Sequence, residues 1–175
     1  MTGLAPLVTA RLHLEPLQPA TLEALLSRDT KAAERAQGTS LPDGFFAPTD
    51  DFFLEIQLAR MRSRPSERAW CARVMVRQED GTVIGHCGFH GPPADVGRAE
   101  IGYMVLPPHR SQGYATEAAQ ALVDWARTQG ERVVFASISP DNVASLAVVG
   151  KLGFRQTGVQ IDEIDGEEAV YELSL

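Results

Sequence analysis

Cysteine is scarce in this chain, and the residues that would build a metal site are not grouped. Only two cysteines occur among the 175 residues, Cys71 and Cys87, and each lies in an apolar stretch typical of a strand. We expect both to be reduced, buried thiols rather than parts of a disulfide framework. No residues have the spacing of zinc ligands, so no metal is expected.

The chain also lacks a long apolar run and an excess of positive charge. No stretch has the length needed to span a membrane, and the first residues lack the basic and apolar regions of a secretory signal. These absences predict a cytoplasmic protein with no membrane partner. The formal net charge of -7 argues against nucleic acid as the main partner, because phosphate backbones are bound by clustered Lys and Arg. An acidic protein better suits a cationic or amine substrate.

The length and the apolar periodicity predict one domain over residues 1–175. A strand is predicted from Arg11, followed by a helix from Pro19 to about Gln37 and a second helix over 50–63. The middle of the chain holds two apolar runs around Asp80-Gly81, a dipeptide that favours a tight hairpin. The predicted later elements are a strand over 98–106, a helix over 116–130, a strand over 132–139, a helix over 141–152 and a hairpin turning at Asp165-Gly166. This order predicts an α/β (α+β) fold, a mixed sheet with helices on both faces.

The segment VLPPHRSQGYATEA joins a predicted strand to a predicted helix in a way that suits an anion. The start of a helix presents unpaired N–H groups and the positive end of the helix dipole. Gly113 and Ala115 leave the approach open, and Arg110 adds a planar cation that suits phosphate. Ser111 and Gln112 supply further N–H donors. In isolation, such a segment is also compatible with a glycine that serves only the backbone and a solvated arginine.

Three segments resemble the GNAT acyltransferase superfamily. The junction resembles its pyrophosphate-binding motif, Q/R-x-x-G-x-G/A, with Arg110, Gly113 and Ala115 at the defined positions. NVASLAVVGKLGF (142–154) resembles the family's N-x-x-S segment ending in K-L-G-F, and TARLHLEPL (9–17) resembles the T-x-R-L-x-L opening of the RimJ/RimL-type branch. The matches follow the family's order over most of the chain.

The resemblance implies a mostly antiparallel sheet and acetyl-CoA as the acetyl donor. The backbone of residues 110–115 would hold the pyrophosphate, and the pantetheine arm would run beside the strand over 99–106, where that strand diverges from the next. Asn142 would contact the pantetheine amide. The residues expected to bind the cofactor are Val105, Leu106, Arg110, Ser111, Gln112, Gly113, Tyr114, Ala115, Asn142 and Ser145.

Glu100 is the predicted general base, since an attacking amine must lose a proton. The family often carries its base at this strand position, and Glu100 shares a strand face with Gly102, which leaves open space beside the carboxylate. The alternative is a carboxylate that is paired with Arg98 or solvated. Among the histidines, His90 is the second candidate because it lies near a loop that borders the expected acceptor cleft. His86 is equally compatible with a core position.

Two positions depart from the family pattern. Where many members have a tyrosine acid, this chain has Val149, so Ser145 is the residue expected to donate to the leaving sulfur. A thiol with a reference pKa of about 8.5 needs little assistance to leave. Ser111 replaces the more usual glycine, and cofactor binding is expected if the backbone there accommodates a side chain. Tyr103 either lines the acceptor side or packs in the core, as do Phe45 and Phe46.

The leading prediction is an N-acetyltransferase that moves acetyl from acetyl-CoA to a protein N-terminus or a small-molecule amine. Direct attack in a ternary complex is expected, because no cysteine lies within the two motifs of the cofactor site. The alternative is a non-catalytic acyl-CoA-binding or sensing module on the same fold. A nucleotide hydrolase is excluded by the lack of a G-x-x-x-x-G-K-[ST] segment. A homodimer through the C-terminal hairpin is a further expectation.

Overall fold

The structure, a computed structural model, describes residues 4–93, 97–162 and 166–175. Within these ranges the chain forms eight strands and five α-helices. In chain order they are β1 (Leu7–Val8), β2 (Leu12–Pro16), α1 (Pro19–Leu26), α2 (Thr30–Gln37), α3 (Asp51–Ser63), β3 (Ala72–Arg77), β4 (Val83–Phe89), β5 (Ala99–Val105), α4 (Tyr114–Thr128), β6 (Val133–Ile138), α5 (Val143–Lys151), β7 (Arg155–Asp162) and β8 (Gly166–Ser174).

The strands form one sheet in the order β1-β2-β3-β4-β5-β6-β8-β7. Every neighbouring pair is antiparallel except β5 and β6, which run parallel. Helices α1, α2 and α3 pack on one face of the sheet, and α4 and α5 pack on the other. The predicted α/β (α+β) class, with a mixed, mostly antiparallel sheet and helices on both faces, is confirmed.

The single helix predicted from Pro19 to about Gln37 is wrong, because two helices occupy this stretch. Arg28 adopts a left-handed conformation, with φ +60°, and this ends α1. Asp29 then starts α2, since its side chain accepts a hydrogen bond from the backbone N–H of Ala32 at 2.9 Å. Such a cap satisfies a helix-start donor, so the break costs little and turns α2 onto a new axis.

The other predicted elements are found with small changes in their bounds. Gly81 has φ +71° in the turn between β3 and β4, as expected for a hairpin at Asp80-Gly81. The helix predicted over 116–130 begins earlier, at Tyr114. Of the C-terminal turn, Gly166 begins β8, whereas Asp165 lies outside the described residues.

Two hydrophobic cores lie on opposite faces of the sheet. Alternation along β3 separates them, since Met75 joins the core under α4 and α5, whereas Val74 and Val76 join the core under α1, α2 and α3. Trp70 and Trp125 pack edge to face with ring centroids 4.5 Å apart and lie, partly buried, against the core under α4 and α5. Both cysteines are buried free thiols, and burial raises the pKa of Cys71 to about 11.

The sheet is split between β5 and β6. These strands pair only at Ala99 with Val134 and at Glu100 with Phe135. Beyond Glu100, β5 continues on β4 as far as Val105, while β6 continues on β8. The two halves of the sheet therefore diverge and leave a wedge-shaped opening on the C-terminal side of Glu100.

Strand β7 forms one edge of the sheet and exposes apolar side chains, with Val159 57% and Ile161 75% accessible. This is the edge that the expected homodimer would use, and the homodimer stays a prediction. None of the helices in the described parts of the chain is long and apolar enough to cross a membrane.

Candidate active site

The loop over residues 110–115 enters α4 with an open backbone. Gly113 immediately precedes the helix and has φ +83°, a conformation that favours glycine. A Cβ atom built there would meet only Nη2 of Arg11, at 3.5 Å. No side chain caps the first turn of α4, so its leading N–H groups are directed at the space in front of the helix. This arrangement fits a phosphate group.

Ser111, at the position where the family more often has glycine, adopts a left-handed backbone conformation. Its φ is +61°, in the left-handed region that a side chain tolerates at a cost. Arg110 is anchored nearby, because its Nε donates a hydrogen bond to the carbonyl oxygen of Val105 at 2.8 Å. The loop therefore accommodates a serine at position 111, where the family more often has glycine.

A cavity of about 480 Å³ opens in front of this loop and continues between β5 and α5. We call it the larger cavity. Leu106 is buried beside it without lining it, and Gln112 likewise does not line it. The other predicted cofactor residues all line it: Val105, Arg110, Ser111, Gly113, Tyr114, Ala115, Asn142 and Ser145.

A second cavity, of about 330 Å³, occupies the split between β5 and β6. We call it the smaller cavity. Its walls come from both halves of the sheet, with Gly102 on β5 and Ser137 on β6, and from His90 at the end of β4. The smaller cavity exists because the parallel pairing stops at Glu100.

The two cavities share three lining residues, Tyr103, Asn142 and Ser145. The Tyr103 hydroxyl donates a hydrogen bond to the backbone carbonyl of Ser145 at 3.3 Å, which ties β5 to α5. Burial raises the pKa of Tyr103 to about 12, so the phenol stays protonated at neutral pH. The Asn142 side chain caps α5 by accepting from the backbone N–H of Ser145 at 3.1 Å. These three residues stand where the cavities meet.

Glu100 is held between two neighbours at the closed end of the split. The Ser137 hydroxyl donates to its Oε1 at 2.7 Å, and Nδ1 of His90 lies 3.5 Å from its Oε2. Burial acts to raise the pKa of Glu100, but the hydrogen bonds from His90 and Ser137 and the charges of His90 and Arg98 outweigh it, so this pKa lies below its usual range. The alternative pairing with Arg98 is not found, because Arg98 pairs with Glu172.

His90 occupies space that only a glycine in β5 leaves open. A Cβ built on Gly102 would lie 2.6 Å from Nε2 of His90. One nitrogen of the imidazole thus faces Glu100, while the other lies over Gly102 at the wall of the smaller cavity. The His90 side chain is half exposed.

A hydrogen-bond chain extends from Glu100 across the second half of the sheet. Nε2 of Gln160, on β7, donates to the Ser137 hydroxyl at 2.9 Å and to Oε2 of Glu168 at 3.1 Å. Glu168 also lines the smaller cavity. These hydrogen bonds fix the Ser137 hydroxyl for donation to Glu100 and hold the Glu168 carboxylate at the cavity wall.

His86 belongs to an aromatic cluster rather than to the site. Its imidazole stacks on Phe46 with ring centroids 4.3 Å apart and lies near Phe53. Burial, together with the charge of His90, lowers the pKa of His86 to about 4. Phe45 is buried in the core beneath this cluster. His109 lines the larger cavity, away from the Glu100 end.

Sequence reasoning missed several residues around the site. Thr9 and Arg11 contact Glu117 in the first turn of α4, and the T-x-R spacing was their only signal. Ser137 had no signal at all, because its contact with Glu100 depends on the register between β5 and β6. Val149, at the position where many members carry tyrosine, is fully buried and serves the core in this chain.

Comparisons with known proteins agree with this geometry. The acetyltransferase (GNAT) domain model matches residues 11–155. The uncharacterized N-acetyltransferase YjdG of Bacillus subtilis is 31% identical over 153 residues, which cover 85% of this chain and 88% of that protein.

Solved structures share the fold over nearly the whole chain. An acetyltransferase from Agrobacterium tumefaciens superposes with a TM-score of 0.66 at 26% identity, over 99% of this chain and 96% of that one. The ribosomal L7/L12 alpha-N-protein acetyltransferase RimL, solved in complex with coenzyme A, has a TM-score of 0.64 at 17% identity, over 96% of each chain, and at that identity shows the fold alone. The chain belongs to the GNAT acetyltransferase family and is an acyltransferase.

Proposed function

We propose that this protein transfers the acetyl group of acetyl-CoA to a primary amine bound in the smaller cavity, by direct attack in a ternary complex. One observation carries the proposal: the two cavities share Tyr103, Asn142 and Ser145. The larger cavity begins at the 110–115 loop, and the smaller one ends beside Glu100 and His90. Donor and acceptor would therefore meet at the shared residues.

The residues of the larger cavity fit the donor. The open backbone at Gly113 and the uncapped start of α4 would hold the diphosphate, with Arg110 beside it. Val105 and Asn142 would flank the pantetheine arm, as the family resemblance implies. When bound, acetyl-CoA supplies an activated acyl thioester at the junction of the cavities.

Proton removal is assigned to Glu100 together with His90. An amine at neutral pH is mostly protonated and must lose a proton before it attacks. A carboxylate of lowered pKa is a weak base by itself, and Glu100 lies behind the cavity wall, whereas His90 lines the cavity with its Nδ1 3.5 Å from that carboxylate. We therefore extend the predicted role of Glu100: the His90 imidazole takes the proton, and the Glu100 carboxylate orients the ring and stabilises its charged form.

Ser145 is proposed to donate a hydrogen bond to the departing sulfur. Tyr103 would hold this part of α5 in place through its bond to the Ser145 carbonyl. Because a thiol has a reference pKa of about 8.5, a hydrogen bond is sufficient and a dedicated acid is not required.

The acceptor is proposed to be a primary amine, either of a protein N-terminus or of a small molecule. Glu168 lines the smaller cavity, and Glu100 lies behind its wall against His90 and Ser137, so the two carboxylates favour an ammonium group there. The T-x-R-L-x-L opening and the fold shared with RimL support a RimJ/RimL-type assignment and put N-terminal peptides among the acceptors to be tested.

The test is a thiol-release screen with acetyl-CoA against N-terminal peptides, polyamines and aminoglycosides. We expect at least one acceptor to release free CoA, and we expect both Glu100→Gln and His90→Gln to lower turnover by about 100-fold or more at neutral pH. Glu79→Gln, which alters an exposed carboxylate in the β3–β4 turn, is the matched control and should retain full turnover.

Three outcomes would contradict the proposal at different points. CoA binding without release for any amine would support the non-catalytic binding module instead. Full turnover in Glu100→Gln would remove Glu100 from catalysis. Full turnover in His90→Gln, with loss in Glu100→Gln, would leave Glu100 as the base acting alone.

A further inference from the structure

The T-x-R segment lies against the start of α4. Thr9 and Arg11 belong to the turn between β1 and β2, more than one hundred residues away in sequence from Glu117. The Thr9 hydroxyl donates to Oε1 of Glu117 at 2.6 Å, and the backbone N–H of Arg11 donates to the same oxygen at 2.8 Å. Nε and Nη2 of Arg11 both lie 2.7 Å from Oε2. Both carboxylate oxygens are therefore engaged.

Arg11 also reaches the loop that precedes the helix. Its Nη1 donates to the carbonyl oxygen of Gln112 at 3.0 Å, and its guanidinium lies 4.4 Å from the centre of the Tyr114 ring. Gly113, between these two residues, has Nη2 of Arg11 as the nearest atom to its missing side chain. One side chain thus contacts both flanks of the loop glycine.

Glu117 poses an electrostatic problem at this place. An acidic residue in the first turn stabilises a helix through the dipole, but the same charge repels an anion bound in front of that helix. Burial acts to raise the pKa of Glu117, yet the bonds from Thr9 and Arg11 lower it by more, so the carboxylate stays ionised at neutral pH. Its charge would therefore weaken anion binding unless it is balanced locally.

We propose that Thr9, Arg11 and Glu117 form a positioning cluster that holds the 110–115 loop in its binding conformation and neutralises Glu117 beside the diphosphate of acetyl-CoA. The inference rests on the proposed function, because it assumes that this loop receives the diphosphate. None of the three residues is catalytic. Their role gives the T-x-R segment a physical purpose at the donor site.

Calorimetry with coenzyme A tests whether Arg11 neutralises Glu117. The proteins are the wild type, two single variants and the double variant. We expect Arg11→Ala to weaken binding about three- to tenfold, because it leaves the Glu117 charge unbalanced near the diphosphate. Glu117→Gln should bind about as well as the wild type or better. The double variant Arg11→Ala, Glu117→Gln should recover part of the loss, and the defect of Arg11→Ala should shrink as salt is raised.

Hydrogen exchange in the protein without ligand tests whether the positioning cluster holds the 110–115 loop in place. Amides of residues 110–116 should exchange faster in Arg11→Ala and in the double variant, since both lack the bond to the Gln112 carbonyl. The matched control is Arg127→Ala, which breaks an exposed ion pair with Asp124 near the other end of α4. This control should change neither CoA binding nor exchange in the loop.

The results separate this inference from the proposed function. Wild-type affinity together with wild-type exchange in Arg11→Ala would overturn the positioning cluster while leaving acetyl transfer intact. An equal loss of affinity in Arg127→Ala would overturn it too, because the effect would then be unspecific. A wild-type protein that fails to bind CoA would contradict the proposed function, and the exchange measurement would still decide whether the cluster holds the loop.

Discussion

At Gly102, the lack of a side chain leaves the space that the His90 imidazole occupies. A methyl group there would lie 2.6 Å from Nε2 of His90, closer than atoms approach. Because the His90 side chain is half exposed, the ring is free to move aside, and the sheet need not change. Gly102→Ala should therefore fold normally but remove the imidazole from Glu100, with turnover falling to the level of His90→Gln.

Gly150 in α5 offers a matched control for this substitution. A Cβ built there meets nothing within 4 Å, so Gly150→Ala should keep full turnover. It should also raise the free energy of unfolding by about 0.5–1 kcal/mol, because alanine favours a helix interior over glycine. Turnover and denaturant unfolding of both variants are the measurements. Full activity in Gly102→Ala would show that the position of His90 does not matter for catalysis.

The entry to α4 depends on a residue in an unfavourable backbone conformation. Ser111 has φ +61°, which a β-branched side chain tolerates poorly. Ser111→Val should therefore lower the free energy of unfolding by about 1–2 kcal/mol. Ser111→Gly should stay close to the wild type, since the strain it relieves is offset by the greater freedom of glycine in the unfolded chain.

Denaturant unfolding and CoA calorimetry on both Ser111 variants check this expectation. The glycine variant should bind CoA as the wild type does, because it supplies the same N–H group. A valine variant as stable as the wild type would mean that the loop takes another backbone path.

Local sequence patterns predicted some features of this fold and missed others. The loop before α4 was predictable, because a strand, a glycine and a helix start follow one another within a few residues. The break between α1 and α2 was missed, since apolar spacing continues across it and the left-handed Arg28 gives no pattern of its own. The contact of Ser137 with Glu100 depends on which strands pair and in what register, and apolar alternation does not specify a partner.

His86 makes the free energy of unfolding depend on pH. Its folded pKa of about 4 lies below the ordinary value of about 6.5, because it is buried beside Phe46 and near His90. Between these two values the unfolded chain binds a proton that the folded protein does not, so stability falls as pH falls through this window. Above pH 6.5 the imidazole is neutral in both states and adds no dependence.

His86→Gln should lose less stability than the wild type when pH drops from about 7 to about 5. The difference between the two proteins isolates His86, because the carboxylates that also titrate on the acid side are common to both. Denaturant unfolding at the two pH values measures it. Equal losses in the two proteins would show that His86 is protonated as readily in the fold as in water.

The two cores on opposite faces of the sheet have a consequence for how such proteins diverge. The residues proposed to hold the donor, such as Val105 and Tyr114, pack with α4 and α5, whereas the aromatic cluster of Phe46 and Phe53 packs with α1, α2 and α3. Changes in one core are shielded from the other by the strands between them. Among the residues that the structure describes, none from α1, α2 or α3 lines either cavity, so a lineage is free to rebuild these early helices while the walls of both cavities stay as they are.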